Sequence, residues 1–220
     1  MSAFETNESR PIKFFNSLTF PDHFFFLISS TAPLVSDLAS ISLFENSFKK
    51  YLKNLSIKFN YLEIGSYEGN SAIFVATNYP NSSILCVDPW EPYEEKEKEN
   101  FNLIENRFDF NIKDLKNIKK NKKTSDNFFL NNKEKFDFIY IDGFHRYDYV
   151  LRDCYNAWDC LKIGGIIACD DYIWQAWNDI KLNPCYAINK FIKDKQKEIK
   201  ILTVTKSQIF FKKIKYGRIT

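Results

Sequence analysis

The 220-residue chain carries 31 basic and 28 acidic residues for a formal charge of +3, and 45% of it is hydrophobic. That near-balance gives no argument for a nucleic-acid or membrane partner, and the length suits a single core. The five cysteines, odd in number and without a Cys-x-x-Cys pair, fit reduced thiols in a cytoplasmic protein and argue against a zinc site or a disulfide scaffold.

The N-terminus lacks the basic start and apolar block of a signal peptide. Residues 1–41 read as a lead-in or lid segment ahead of one domain over 42–220. Phe24–Ile28 opens an apolar stretch, but Ser29, Ser30, Thr31, Pro33 and Asp37 interrupt it well short of the ~20 residues that cross a bilayer. The apolar content of Phe14–Leu38 suits a lid or a dimer surface, which leaves a homo-oligomer open. Ser42–Leu55 repeats Leu43, Phe44, Phe48, Tyr51, Leu52 and Leu55 at helical spacing, so an amphipathic helix enters the core.

Tyr61–Gly65 reads as a first strand, followed by a turn and a helix through Ser71–Tyr79. Ser83–Asp88 is a second strand closed by Pro89, and a charged helix covers Glu94–Phe108. A polar third strand lies near Ile118–Thr124, inside a lysine cluster (Lys113–Lys123) that reads as solvated faces and loops. Phe136–Asp142 is an apolar run of the kind buried on both faces. A helix through Tyr149–Leu161 follows, and Gly164-Gly165 stops it and turns the chain into a strand ending at Asp170. A helix near Tyr186–Lys195 precedes Ile199–Thr205 and Gln208–Lys213, which read as a hairpin. Alternating strands and helices closed by an antiparallel pair define a doubly wound, mostly parallel α/β sheet with helices on both faces.

The ends of the strands carry the chemistry. Asp142, Asp170 and Asp171 close two apolar strands at the carboxyl edge, where open α/β sheets bind ligands. Three acids in one crevice repel each other unless protonated or held by a hard cation such as Mg²⁺, Ca²⁺ or Mn²⁺. Their rival role is the capping of a turn and a helix. After the first strand, Gly65 and Gly69 allow a tight turn and close approach of a ligand beside the Glu63 carboxylate. The spacing is not the dinucleotide Gly-x-Gly-x-x-Gly. Asp88 ends the second strand where an acid accepts from the two hydroxyls of a ribose, and Trp90 either stacks on a base or packs.

Glu63-x-Gly65-x-x-x-Gly69 and Cys86-Val-Asp88-Pro89-Trp90 resemble the first two motifs of the class I S-adenosylmethionine-dependent methyltransferases. Ile141-Asp142-Gly143-Phe144-His145-Arg146-Tyr147, Leu161–Gly165 and Asp170-Asp171-Tyr172 narrow the likeness to the metal-dependent sugar O-methyltransferases of the macrocin and mycinamicin type, and catechol O-methyltransferase shares the broader metal arrangement. The resemblance spans Tyr61 to Phe191. It implies a Rossmann-like fold and methyl transfer from S-adenosylmethionine to a hydroxyl of a sugar or glycosylated small molecule, with Mg²⁺ the expected cation. Asp142, Asp170 and Asp171 become the metal ligands, and His145 the general base, with Asp142 as its rival for that role. Glu63, Gly65, Ser66, Gly69, Asp88, Trp90, Ser125 and Asp142 become the cofactor-binding set, Ser125 at the adenine. Tyr172, Trp174 and Trp177 suit either core packing or a platform under a sugar. Acceptor choice lies in the lead-in, the loops and Asp171–Pro184. A phenolic acceptor, a nucleotide-binding dehydrogenase and a binding module without turnover are the alternative readings.

Overall fold

The computed structural model of the protein describes residues 46–53, 55, 58–93 and 99–215. The expected lead-in over 1–41, its apolar stretch, and residues 42–45 of the first expected helix lie outside the described residues.

The elements in chain order are helix α1 (46–52), β1 (Asn60–Ile64), α2 (Asn70–Asn78), β2 (Ser83–Asp88), α3 (Phe101–Ile112), β3 (Ile118–Lys122), α4 (Ser125–Asn131), β4 (Phe136–Ile141), α5 (Tyr147–Cys160), β5 (Leu161–Cys169), α6 (Pro184–Asp194), β6 (Ile199–Val204) and β7 (Ile209–Lys213). A single 3₁₀ turn, Ile180–Leu182, precedes α6. The seven strands form one sheet in the order β3-β2-β1-β4-β5-β7-β6. The first five are parallel, and β7 runs antiparallel to both β5 and β6. The sheet is Rossmann-like and doubly wound. Strand order reverses between β1 and β4, which opens a crevice at their carboxyl ends.

Alternation along the strands assigns the two faces. Leu62, Ile64, Ile139 and Ile141 pack with Phe128 of α4, Val150 and Trp158 of α5 and Phe191 of α6. Tyr61, Phe138, Tyr140 and Ala168 point the other way, onto Phe48 of α1, Phe74 of α2 and Phe108 of α3. Each central strand is therefore buried on both sides, which is why β4 reads Phe-Asp-Phe-Ile-Tyr-Ile with a single charge.

Two expectations need correction, and one helix is added. The charged helix begins at Phe101, where the Asn100 side chain accepts from the Leu103 amide at 3.1 Å; residues 94–98 lie outside the described residues. Gly164 and Gly165 do not stop α5. The helix ends at Cys160, β5 starts at once, and the glycines lie in a bulge where pairing jumps from Phe136–Leu161 to Phe138–Ile166. A side chain on Gly165 would meet Lys162 and Asp137 carbonyl oxygens at 2.9 and 3.0 Å, so the bulge demands glycine. Helix α4 was not foreseen, although Thr124 is its N-cap and Asp126 lies in its first turn.

The polar third strand is real and lies at the sheet's edge, where half its side chains meet water. Lys120 is not simply solvated. Its ammonium bonds Glu105 and Asp109 of α3 at 2.7 Å and lies 4.7 Å from the centre of the Trp90 ring. All five cysteines are free, and among the described residues no helix is long and apolar enough to cross a membrane.

Candidate active site

A cavity of about 650 Å³ opens at the crevice, lined by the β1–α2 turn, the residues after β2, the β4–α5 loop and Trp174. Gly65 holds φ +83, and a Cβ there would lie 2.0 Å from the backbone oxygen of Asp142. Its bareness thus lets the β1–α2 turn lie against the loop that carries Asp142, which also donates its amide to Ile64 at 2.8 Å. Gly69, at φ +90, is the N-cap of α2, and Asn70 and Ser71 of that helix's first turn line the cavity.

Asp88 braces this turn. Its Oδ2 accepts from the Ser66 and Tyr67 amides at 2.9 and 3.0 Å, and its Oδ1 from the Trp90 amide at 2.6 Å. A carboxylate offers about four acceptor directions, so roughly one remains for a ribose hydroxyl at the cavity wall. Burial raises its pKa above the usual range despite the three donors. Glu63 lies beneath the turn, fully buried, with Tyr61 donating to its Oε2 at 2.8 Å and no partner on Oε1. Burial pushes its pKa up to about 7.

Trp90 borders the cavity but is packed, 1% exposed, against Phe108 with its indole N–H on the Tyr67 carbonyl at 2.8 Å. Ser125 is buried at the start of α4, away from the cavity lining, and its hydroxyl faces the buried Asp153 of α5. Glu91 and Glu99, which the motifs did not single out, line the cavity beside Asp88.

On the other side of the cavity, one carboxylate oxygen each of Asp142 and Asp171 and a ring nitrogen of His145 lie within 4.8 Å of one another. His145 Nε2 is 3.4 Å from Asp171 Oδ2, and the imidazole lies edge-on to Trp174 at 5.0 Å. Successive strand residues face opposite ways, and of the adjacent Asp170 and Asp171 it is Asp171 that joins this group. Asp171 takes φ +51, a left-handed conformation that bends its side chain back toward the site. The other non-glycine residues with positive φ among those described are Tyr67 and Trp90, both on the cavity wall. Such strain, about 1 kcal/mol or more per residue, concentrates at functional sites.

Asp170 points at Tyr140 instead. The Tyr140 hydroxyl donates to its Oδ2 at 2.6 Å, while Oδ1 is buried without a partner. Burial raises the pKa of all three aspartates, and the charges of Asp170 and Asp171 push Asp142 up further. Among the described residues no lysine or arginine pairs with any of them. An orphaned carboxylate oxygen beside two carboxylates and an imidazole is a donor set that fits a hard divalent cation. Aromatic rings cluster on this wall of the cavity: Tyr93 stacks on Phe144 at 5.0 Å with 11° between the planes, and Trp177, behind the lining, lies edge-on to Phe144 and to Trp174.

A family model described as a methyltransferase domain matches residues 62–172, half of the chain, and the chain belongs to that family. No curated protein matches it. Among solved structures it is similar to the O-methyltransferase TomG from Streptomyces achromogenes, involved in tomaymycin synthesis and solved with SAM, at TM-score 0.58 and 11% identity over 80% of each chain. It is also similar to an rRNA methylase from Streptococcus thermophilus, at TM-score 0.58 and 13% identity over 80% of this chain and 97% of that one. The SAH-bound Podospora anserina methyltransferase PaMTH1 matches at TM-score 0.54 and 18% identity, over 79% of this chain and 77% of that one. At these identities the likeness is one of fold.

Proposed function

We propose that this methyltransferase carries a methyl group from S-adenosylmethionine to a hydroxyl of a sugar or glycosylated small molecule, with a divalent cation, Mg²⁺ by its oxygen-rich donor set, at Asp142, Asp170 and Asp171. One observation carries the reading: the glycine turn after β1, Asp142 and His145 line one cavity, with Asp171 within 4.8 Å of the last two, and turn and acid meet where Gly65 touches the backbone of Asp142. SAM and SAH in the fold relatives TomG and PaMTH1 support the choice of cofactor.

The amides of Gly65, Ser66, Tyr67 and Gly69 are spent within the protein, so the first turn of α2, where Asn70 and Ser71 line the cavity, offers backbone N–H groups to the cofactor, and Asp88 offers its remaining acceptor capacity to ribose hydroxyls. SAM supplies a methyl already activated on a sulfonium, so the chain's task is alignment and exclusion of water. Asp142, Asp170 and Asp171 would hold a divalent cation, which when bound would lower the pKa of the acceptor hydroxyl. Burial lowers the pKa of His145, which keeps the imidazole neutral near pH 7 and able to take the hydroxyl proton at Nε2. Asp171, 3.4 Å away, stabilises the imidazolium that forms. Tyr93, Phe144 and Trp174 offer flat apolar faces to the acceptor. The same faces favour a second reading, a phenolic acceptor, which a panel of sugars and phenols separates.

Calorimetric titration with S-adenosylhomocysteine in Mg²⁺ tests the reading. Micromolar binding is expected; no binding overturns the assignment of the turn and Asp88.

A further inference from the structure

We propose that Tyr140 and Gln208 are positioning residues for the cation site, holding Asp170 so that its second oxygen is presented to the metal. The inference rests on the cation reading above.

The geometry follows from strand register. Tyr140 stands two residues before Asp142 on β4, so both face the same side of the sheet, roughly 6.6 Å apart along the strand. Its ladder partner on β5 is Ala168, which places Asp170 one pleat higher on the same face. A phenol is long enough to climb that pleat, and its hydroxyl reaches Asp170 Oδ2 at 2.6 Å. The ring is 1% exposed and packs edge-on against Phe48 at 5.2 Å, so it is held from behind. Gln208 comes from the opposite direction. Cys169 pairs with Ile209 across the antiparallel β5–β7 ladder, which sets Gln208 beside Asp170. It is 3% exposed, and cross-strand neighbours on an antiparallel ladder present their side chains on the same face.

Asp170 Oδ1 is buried and has no partner. Leaving a buried charged acceptor without a partner costs more than leaving a neutral one, so the arrangement makes physical sense when a cation fills the gap. A phenol that only filled the core would not need its hydroxyl aimed at a site carboxylate. The same device recurs on the neighbouring strand, where Tyr61 donates to Glu63 two residues ahead at 2.8 Å. Buried phenols thus form a second layer beneath the carboxylate edge of β1 and β4.

Manganese titration of the full chain, read by loss of free Mn²⁺ signal in electron paramagnetic resonance, tests this in wild type, Tyr140→Phe and Gln208→Met. Outer-layer partners of metal ligands are worth about 10- to 100-fold in affinity. Tyr140→Phe is expected to weaken Mn²⁺ binding at least ~10-fold, in line with that range, with S-adenosylhomocysteine affinity unchanged, a split that general loosening of the core would not produce. Gln208→Met, on another strand, is expected to act in the same direction and decides the matter if the tyrosine variant does not fold. Mn²⁺ affinities within twofold of wild type in the folded variants overturn the positioning role alone. Failure of wild type to bind Mn²⁺ overturns both it and the cation reading.

Discussion

Two groups of carboxylates hang from the same sheet and differ in their company. At the β3 edge, Glu105 accepts from Lys120 and Lys122 at 2.7 and 2.6 Å, and these donors hold its pKa below the usual range. At the carboxyl ends of β4 and β5, Asp142, Asp170 and Asp171 have no lysine or arginine partner among the described residues, and their pKa values are raised. The first group is solvated and neutralised, so it serves stability. The second is desolvated and mutually repelling, a state that costs stability and is retained where it serves a ligand.

Removing an acid should therefore have opposite signs in the two places. The largest effect is expected from Asp142→Asn, which should lower turnover by about 10³ or more while S-adenosylhomocysteine still binds. Its thermal midpoint without metal should rise, since a repelling carboxylate is gone; a fall would mean that Asp142 stabilises the fold and break the contrast. Gly65→Ala should abolish folding or cost more than ~4 kcal/mol, because the new Cβ would sit 2.0 Å from the Asp142 carbonyl oxygen. Circular dichroism melts would show it, and a soluble variant with a wild-type melt would remove the link between turn and loop.

Asp153 sharpens the comparison away from the cavity lining. Burial raises its pKa from 3.8 to about 7, with the Ser125 hydroxyl opposing the shift. The folded state then holds its proton more tightly than the unfolded chain, so this contribution is full below pH ~4, declines as pH rises, and is gone above the folded value near 7. Asp153→Asn should flatten that decline and stabilise the protein at pH 8 by on the order of 4 kcal/mol at most. Urea melts at pH 5 and pH 8 measure it, and parallel curves for both proteins would refute it. The smallest effect belongs to Glu105→Gln, a loss below about 1 kcal/mol that shrinks in high salt. A loss of several kcal/mol would place Glu105 in the unpartnered class.

The site was legible in sequence to the extent that residues near in the chain define it. Glu63, Gly65, Gly69 and Asp88 belong to strand ends and a turn, and Asp142 and His145 are three residues apart in one loop. The distribution of roles was less so. Asp170 and Asp171 are adjacent and look equivalent, yet a hydrogen bond turns the first toward Tyr140 and a left-handed φ turns the second toward His145. Tyr140 carried a faint signal, its place two residues before an acid, which ordinary strand burial equally explains. Gln208 carried none, since only the β5–β7 register brings it to Asp170. Tyr93 and Phe144 meet across 51 residues, and no periodicity connects them.

By itself the sequence determined the alternation of strands and helices, the two-sided burial of the central strands and the placement of acids at their carboxyl ends, because hydrophobic period and turn residues act over a few neighbours. The tertiary structure decided the bulge in β5, the bracing of Asp88 by three amides and the division of labour between Asp170 and Asp171. Those depend on which strand lies beside which, and register is set by contacts between residues far apart in the chain.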